Sequence, residues 1–296
     1  MESSEVADQF VDGPIKTTEE KLWTTEANGS VQLRIDALCP QSPITVHQMF
    51  LESVDKYGPL DALSTKRNGI WEHVTFMDYY KLCRQAAKSF LKDGSTHSWI
   101  GAHTAGWEHI QQDGKHTQQD GKHTQQDGSA HSRMLGLERF HSVGILGFNS
   151  EEWFISAIGT VFAGGIITGI YTTNSPEACH YVASDCKMNI IVVENQKQLE
   201  KILQIWDGLP HLKAVVQYKG NLQEKRPNLY TWEEFMEFGK DIADAHLDDI
   251  INSQKANQCC VLIYTSGTTG NPKGVMLSHD NVWGIKILPE WPRITS

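Results

Sequence analysis

The feature that most constrains the fold is an alternation that begins near residue 143. Short apolar, β-branched runs at 143–148, 166–171, 189–193 and 213–218 are separated by stretches that carry helix-start signals. Asn149 is followed three residues on by Glu152, the spacing of a capping box, and Thr231 precedes Glu234 in the same way. Ser175 precedes Pro176, a residue tolerated at the first helical position because its missing N–H has no partner there anyway. A further helix is expected over 196–205. Strands joined through helices pair in parallel, and a parallel sheet needs helices on both faces. The expected fold is therefore α/β. In such a sheet, ligands bind beyond the carboxyl ends of the strands, so the segments leaving those ends are where chemistry is sought.

Upstream, Val46, Met49, Phe50 and Val54 recur at helical spacing and stop before Gly58. Asn68-Gly69 lies between two strand-like runs and predicts a tight hairpin, because both residues accept positive φ. A second helix is expected over 75–92. The stretch 153–176 carries no charge and is long enough by count to span a bilayer. Gly159, Gly164, Gly165 and Gly169 punctuate it, so it reads as a buried helix followed by a buried strand.

Residues 93–134 interrupt this order. They contain QQDGKHTQQDGKHTQQDG, whose repeating unit has no aliphatic residue and cannot build a core. Without the stretch, the helix ending at Lys92 runs directly into LGLERFHSVGILGF, a glycine cap and a buried strand, so 93–134 reads as a surface insert. It holds His97, His103, His109, His116, His123 and His131 of the chain's 13 histidines. Weak metal binding on an otherwise inert scaffold is one reading. A duplicated unit that happens to contain one histidine is the better one, since ordering such ligands costs conformational entropy.

Composition excludes some classes. Hydrophobic residues at 40% with 21% charged residues fit a folded soluble chain. A net charge of -10 with scattered Lys and Arg argues against nucleic acid as a partner. The 6 cysteines form no C-x-x-C pair and no zinc spacing, which points to a reducing, cytoplasmic compartment. The start, MESSEVADQF, has neither the apolar core of a signal peptide nor the basic character of a transit peptide. Residues 1–30 are polar without periodicity and are expected to be loosely ordered.

The chemistry concentrates in 259–281, CCVLIYTSGTTGNPKGVMLSHDN. An apolar run that reads as a strand leads into a loop with Gly267, Gly270 and Gly274, hydroxyls on Ser266, Thr268 and Thr269, and the cation Lys273. Backbone N–H groups turned inward by such a loop make an anion-binding concavity. The spacing is not G-x-x-x-x-G-K followed by Ser or Thr, so the common NTPase loop is excluded. At YTSGTTGNPKGV the sequence resembles the phosphate-loop signature of the adenylate-forming superfamily. With KSFLK, GIYTTNSPEACHYV and IIVVEN added, it is similar to the bubblegum-type long-chain acyl-CoA synthetases over most of residues 20–281 outside the insert.

The resemblance implies an incomplete, helix-flanked parallel-sheet N-terminal part of the adenylate-forming enzyme fold. Residues 31–92 and 135–281 would form the AMP-binding domain, with 282–296 a divergent tail. It implies ATP-dependent activation of a long-chain fatty acid to acyl-CoA through an acyl-adenylate, with ATP, Mg²⁺ and coenzyme A. Thr265, Ser266, Gly267, Thr268, Thr269, Gly270, Asn271, Pro272 and Lys273 would hold the β- and γ-phosphates. The family's adenine and magnesium motif, ribose-binding motif and catalytic-lysine domain have no counterpart after Asn281, so no catalytic residue is assigned. Residues 1–296 are expected to be inactive alone. The alternatives are a non-catalytic ATP-binding chain, one that pairs with a full-length enzyme, or an adenylate-forming ligase for another acid. Peripheral association with membranes fits the fatty-acid readings.

Overall fold

The computed structural model describes residues 24–33, 42–92, 135–265 and 271–284. The expectations for 1–23, the 93–134 insert with its histidines, and 285–296 lie outside the described residues.

The first elements follow the sequence closely. Helix α1 (Val46–Tyr57) opens on a reciprocal capping box: Gln48 N donates to Thr45 Oγ1 at 3.2 Å, and Thr45 N to Gln48 Oε1 at 2.8 Å. Strands β1 (Asp61–Arg67) and β2 (Ile70–Thr75) form the expected hairpin. Its turn holds Asn68 at φ 51° and Gly69 at φ 84°, the left-handed pair that matches the twist of the flanking strands. Helix α2 (Phe76–Leu91) ends where the Lys92 carbonyl accepts from Leu135 N at 2.8 Å and Gly136 N at 2.9 Å, with Gly136 at φ 51°. The two edges of the insert therefore meet at one carbonyl.

From there the chain runs β3 (Ser142–Leu146), α3 (Glu151–Phe162), β4 (Ile166–Ile170), α4 (Pro176–Asp185), β5 (Met188–Val193), α5 (Gln196–Leu203), β6 (Ala214–Gln217), β7 (Leu229–Thr231), α6 (Trp232–Phe238), α7 (Asp244–Asn252), β8 (Cys259–Thr265), β9 (Lys273–Ser278) and α8 (His279–Gly284). The strands form a sheet in the order β7-β6-β5-β3-β4-β8-β9, parallel throughout except for antiparallel β9. Ile190 and Val192 of β5 pack with α2, α3 and α6 on one face; Ile191 and Val193 pack with α4 and α5 on the other. Both faces being covered, the β5 run MNIIVV is buried along its whole length, which is why it reads as continuously apolar. The chain goes from β3 to β4 on one side, then crosses back to β5 on the other side of β3, so the sheet's switch point lies at the carboxyl ends of β3 and β5.

Four details differ from the expectations. Helix α3 is capped by Ser150, not Asn149: Ser150 Oγ accepts from Trp153 N at 3.1 Å. That shift leaves Glu151 and Glu152 in the first turn, facing Arg67 of the hairpin at 3.4 and 3.2 Å. Strand β7, of three residues, is too short for a periodicity to show, and α7 has no side-chain cap to announce it. Lys273 and Gly274 belong to β9 and not to the loop, because GVMLS pairs back onto β8. Residues 24–33 have a defined path beside β8, where Ser30 pairs with Gln258. The charge-free stretch divides into α3 and β4 at Gly164, and among the described residues no helix is long and apolar enough to cross a membrane.

Candidate phosphate-binding site

The segment that leaves β8 returns as its antiparallel neighbour β9. β8 pairs in parallel with β4 through Val261 opposite Ile167 and Leu262 opposite Thr168. It pairs in antiparallel register with β9 through Ile263 opposite Val275, Tyr264 opposite Gly274 and Thr265 opposite Lys273. The structure thus brings Thr265 and Lys273, the two ends of the sequence-predicted site, face to face, both exposed. Ser266, Gly267, Thr268, Thr269 and Gly270 lie outside the described residues. Asn271 is exposed and Pro272 half-buried on the returning limb. Lys273 enters no ion pair among the described residues, which leaves its ammonium available to an anion.

The stem is held from the α4 face. Tyr264 is buried, and its hydroxyl donates to Asp185 Oδ2 at 2.5 Å; the Tyr181 hydroxyl donates to the Pro272 carbonyl at 3.0 Å. Burial raises the Tyr264 pKa far above the ordinary tyrosine range, with Cys186 and Asp185 adding to the shift, so the phenol stays a donor. Gly274 fits closely here: a Cβ would stand 3.2 Å from the Tyr264 ring, a tight contact to which the ring would have to give way slightly. Burial also pushes the Cys259 thiol at the base of β8 up to about 11, which removes it as a nucleophile near neutral pH.

The SHDN extension after the loop has a structural role. Ser278 and Asn281 cap α8 reciprocally, with Asn281 N donating to Ser278 Oγ at 3.2 Å and Ser278 N to Asn281 Oδ1 at 3.0 Å. His279 is buried, and Nδ1 accepts from Val46 N at 3.3 Å, which joins α8 to the start of α1. Burial, helped by the charge of Arg139, lowers its pKa from 6.5 to about 4 and keeps the ring neutral.

Beside the hairpin, on the α3 face, the carboxyl ends of β3, β4 and β8 surround a groove of about 590 Å³ lined by Ile145, Trp153, Ile167, Gly169, Val261 and Ile263. Its walls are mainly aliphatic and aromatic. Phe148 and Tyr171, at the ends of β3 and β4, stand 69% and 64% exposed at its edge, more than large apolar side chains ordinarily are. Gly169 forms part of the floor, and a Cβ there would meet no atom within 4 Å. A second cavity, about 640 Å³, lies between the β1–β2 hairpin and the start of α3, with Arg67, Glu151, Glu152, Glu194 and Lys219 around it. Burial raises the pKa of Glu151, and Arg67 opposes the shift.

Sequence reasoning found the loop but neither the groove nor the α4 contacts. The groove assembles from three strands distant in sequence, and its one local trace was Gly169 inside a strand pattern. The pair Tyr181 and Asp185 shows helical i,i+4 spacing, yet nothing in the sequence names its partners.

Residues 129–287 match the family described as AMP-binding enzyme. The long-chain-fatty-acid–CoA ligase ACSBG2 of Xenopus laevis is 53% identical over 270 residues, which are 90% of this chain and 31% of that protein. The long-chain-fatty-acid–CoA ligase ACSBG1 of Homo sapiens is 55% identical over 264 residues, 89% of this chain and 31% of that protein. The chain thus spans about a third of the length of these curated relatives. Among solved structures, the anthranilate CoA ligase AuaEII in complex with anthranoyl-AMP superposes with a TM-score of 0.56 at 21% identity, over 83% of this chain and 37% of that one. The long-chain-fatty-acid-CoA ligase FadD1 from Archaeoglobus fulgidus gives 0.54 at 15% identity, over 81% and 38%. At those identities the likeness is one of fold.

Proposed function

The chain belongs to the AMP-binding enzyme family, and from that premise we propose that it serves the ATP-dependent activation of long-chain fatty acids to acyl-CoA. In the first step a carboxylate oxygen bonds to the α-phosphorus of ATP and the bond to pyrophosphate breaks. In the second the thiol of coenzyme A bonds to the acyl carbon, and AMP leaves with the C–O bond electrons. A free carboxylate is a poor electrophile, so the gain lies in converting it to a mixed anhydride. The observation that carries the reading is the pairing of Thr265 with Lys273 at the mouth of a Gly/Thr-rich turn, at the carboxyl edge of a parallel sheet.

In this reading Thr265, Ser266, Thr268 and Thr269 donate hydroxyl hydrogen bonds to the β- and γ-phosphates. Gly267, Gly270 and Asn271 present backbone N–H groups, Pro272 sets the returning limb, and Lys273 supplies a point charge. Mg²⁺, when bound with the nucleotide, neutralises phosphate charge. The apolar groove at the ends of β3, β4 and β8 takes the acyl chain, with its carboxylate directed toward the hairpin. An amphiphilic substrate fits a cytoplasmic protein that meets membranes at their surface. The exposed pair Ile263 and Val275, 44% and 45% accessible on β8 and the edge strand β9, favours a second reading in which this face pairs with a full-length family enzyme.

The test is equilibrium binding of MgATP to residues 1–296, compared with Lys273→Ala. Loss of a charge-assisted contact is expected to weaken binding by roughly 10-fold or more. Equal affinity in both proteins, or no saturable binding by the folded chain, would refute the assignment of the loop.

A further inference from the structure

The outer half of the β1–β2 hairpin stands clear of the body. Every residue from Lys66 to His73 is exposed, and a Cβ at Gly69 would meet no atom within 4 Å. Yet the two residues that follow the turn are Ile70 and Trp71, 70% and 57% exposed. Side chains alternate along a strand, so each face of the ribbon carries one of them: Ile70 beside Arg67, and Trp71 beside Lys66. Lys66 Nζ lies 5.8 Å from the centre of the Trp71 ring. Arg67 ties the tip to the start of α3, through Glu151 at 3.4 Å and Glu152 at 3.2 Å. Phe148 and Asn149 line both the cavity beside this hairpin and the groove at the ends of β3, β4 and β8. The exposed side chains of Ile70, Trp71, Phe148 and Tyr171 therefore belong to one edge of the molecule, the carboxyl edge of the sheet.

We propose that this tip docks the protein on the surface of a phospholipid bilayer, with Ile70 and Trp71 entering the interfacial layer and the groove mouth, at Phe148 and Tyr171, turned to the same surface. The proposal rests on the membrane-surface reading above and names the element that makes the contact. Three features select a bilayer over a protein partner. The tip is convex and exposed on both faces, which suits a soft, continuous surface and not a matching cleft. Indole, an apolar ring with one N–H donor, settles at the level of the lipid headgroups. The charges around the tip are matched among themselves: Arg67 is shared by Glu72, Glu151 and Glu152, and Lys219 pairs with Glu194. With a net charge of -10 on the whole chain, the attraction is therefore apolar, suits a zwitterionic lipid and is insensitive to salt. A long acyl chain dissolves in that same layer, so a groove opening onto it takes up substrate without drawing the chain through water.

The experiment is co-sedimentation of the 296-residue chain with sucrose-loaded phosphatidylcholine vesicles at low and high salt, with oleate binding titrated in parallel without vesicles. The wild type is expected to partition onto the vesicles equally at both salt concentrations. Ile70→Ser combined with Trp71→Ser is expected to weaken partitioning by roughly 30-fold, each side chain forfeiting about half of its full transfer gain. Melting temperature and oleate affinity stay those of the wild type, because both side chains are exposed and outside the groove. Ile70→Leu with Trp71→Phe keeps the partitioning and loses part of the quenching of tryptophan emission by brominated phosphatidylcholine, which locates Trp71 in the lipid. Leu33→Ser, at an exposed leucine outside the hairpin, behaves as wild type. Unchanged partitioning in the double serine substitution, or an equal loss in Leu33→Ser, would overturn the hairpin assignment and leave the membrane reading standing. Partitioning confined to phosphatidylserine vesicles and abolished by salt would overturn it in favour of charge. No partitioning by the wild type would overturn the hairpin and the membrane reading together, and the oleate titration then shows whether the fatty-acid reading falls with them. Self-association that the double substitution abolishes, in a chain that ignores vesicles, would reassign the tip to a second copy of the protein.

Discussion

Deleting 93–134 tests whether a folded unit lies on either side of an insert or depends on it. Leu135 N and Gly136 N both donate to the Lys92 carbonyl, at 2.8 and 2.9 Å, and Leu137 N donates to the Phe90 carbonyl at 2.8 Å. The ends are thus already joined, and a link of two or three glycines spans them without moving α2 or β3. Replacing a connection of about forty residues by one of about three removes between three and four doublings of loop length, at about 0.6 kcal/mol each, or roughly 2 kcal/mol of closure entropy. The deletion variant is therefore expected to be more stable by up to about 2 kcal/mol in urea unfolding, with an unchanged m-value, because m tracks the surface exposed on unfolding. The assay is equilibrium denaturation followed by tryptophan fluorescence and by circular dichroism. A variant that loses its cooperative transition, or whose m-value and stability fall together, would show that the insert buries surface against the rest and refute the reasoning.

Three further outcomes are expected. Gly169→Phe places a ring where a Cβ meets no atom within 4 Å, so it should fill the apolar groove and abolish oleate binding while MgATP affinity is kept; retained oleate binding would place the acyl site elsewhere. His279, buried with its pKa lowered from 6.5 to about 4, is protonated first in the unfolded chain as pH falls, so its contribution is present above 6.5 and lost between 6.5 and 4. That shift alone makes the protein about 2 kcal/mol less stable at pH 5 than at pH 7, readable by denaturation at the two values, and His47 adds in the same direction. Residues 1–296 assayed alone are expected to show no oleate-dependent exchange of pyrophosphate into ATP, because they span only about a third of the length of the relatives they match; exchange above a Lys273→Ala, Thr268→Ala control would show that this third suffices for adenylation.

Much of the architecture was legible because its signals are local. The Asn68-Gly69 turn, the Ser175-Pro176 start and the Thr231/Glu234 box are each decided by a few neighbouring residues, and the structure shows all three. The misplaced cap at Asn149 is instructive. Asn149 and Ser150 are both good caps, and only the meeting of Glu151 and Glu152 with Arg67, far away in sequence, accompanies the choice of Ser150. Strand β9 was hidden for the opposite reason: a short run after a glycine-rich turn becomes a strand only if β8 offers it an edge.

By itself the sequence determined the class of fold and the family, and it singled out the loop proposed to hold phosphate, since period, caps and a contiguous signature are properties of neighbours along the chain. The tertiary structure decided what surrounds that loop. Tyr181 meeting Pro272, Tyr264 meeting Asp185, and the groove floored by Gly169 each bring together strands and helices that the chain keeps well apart. Such contacts are set by strand order and side-chain direction, and no short window of sequence contains either.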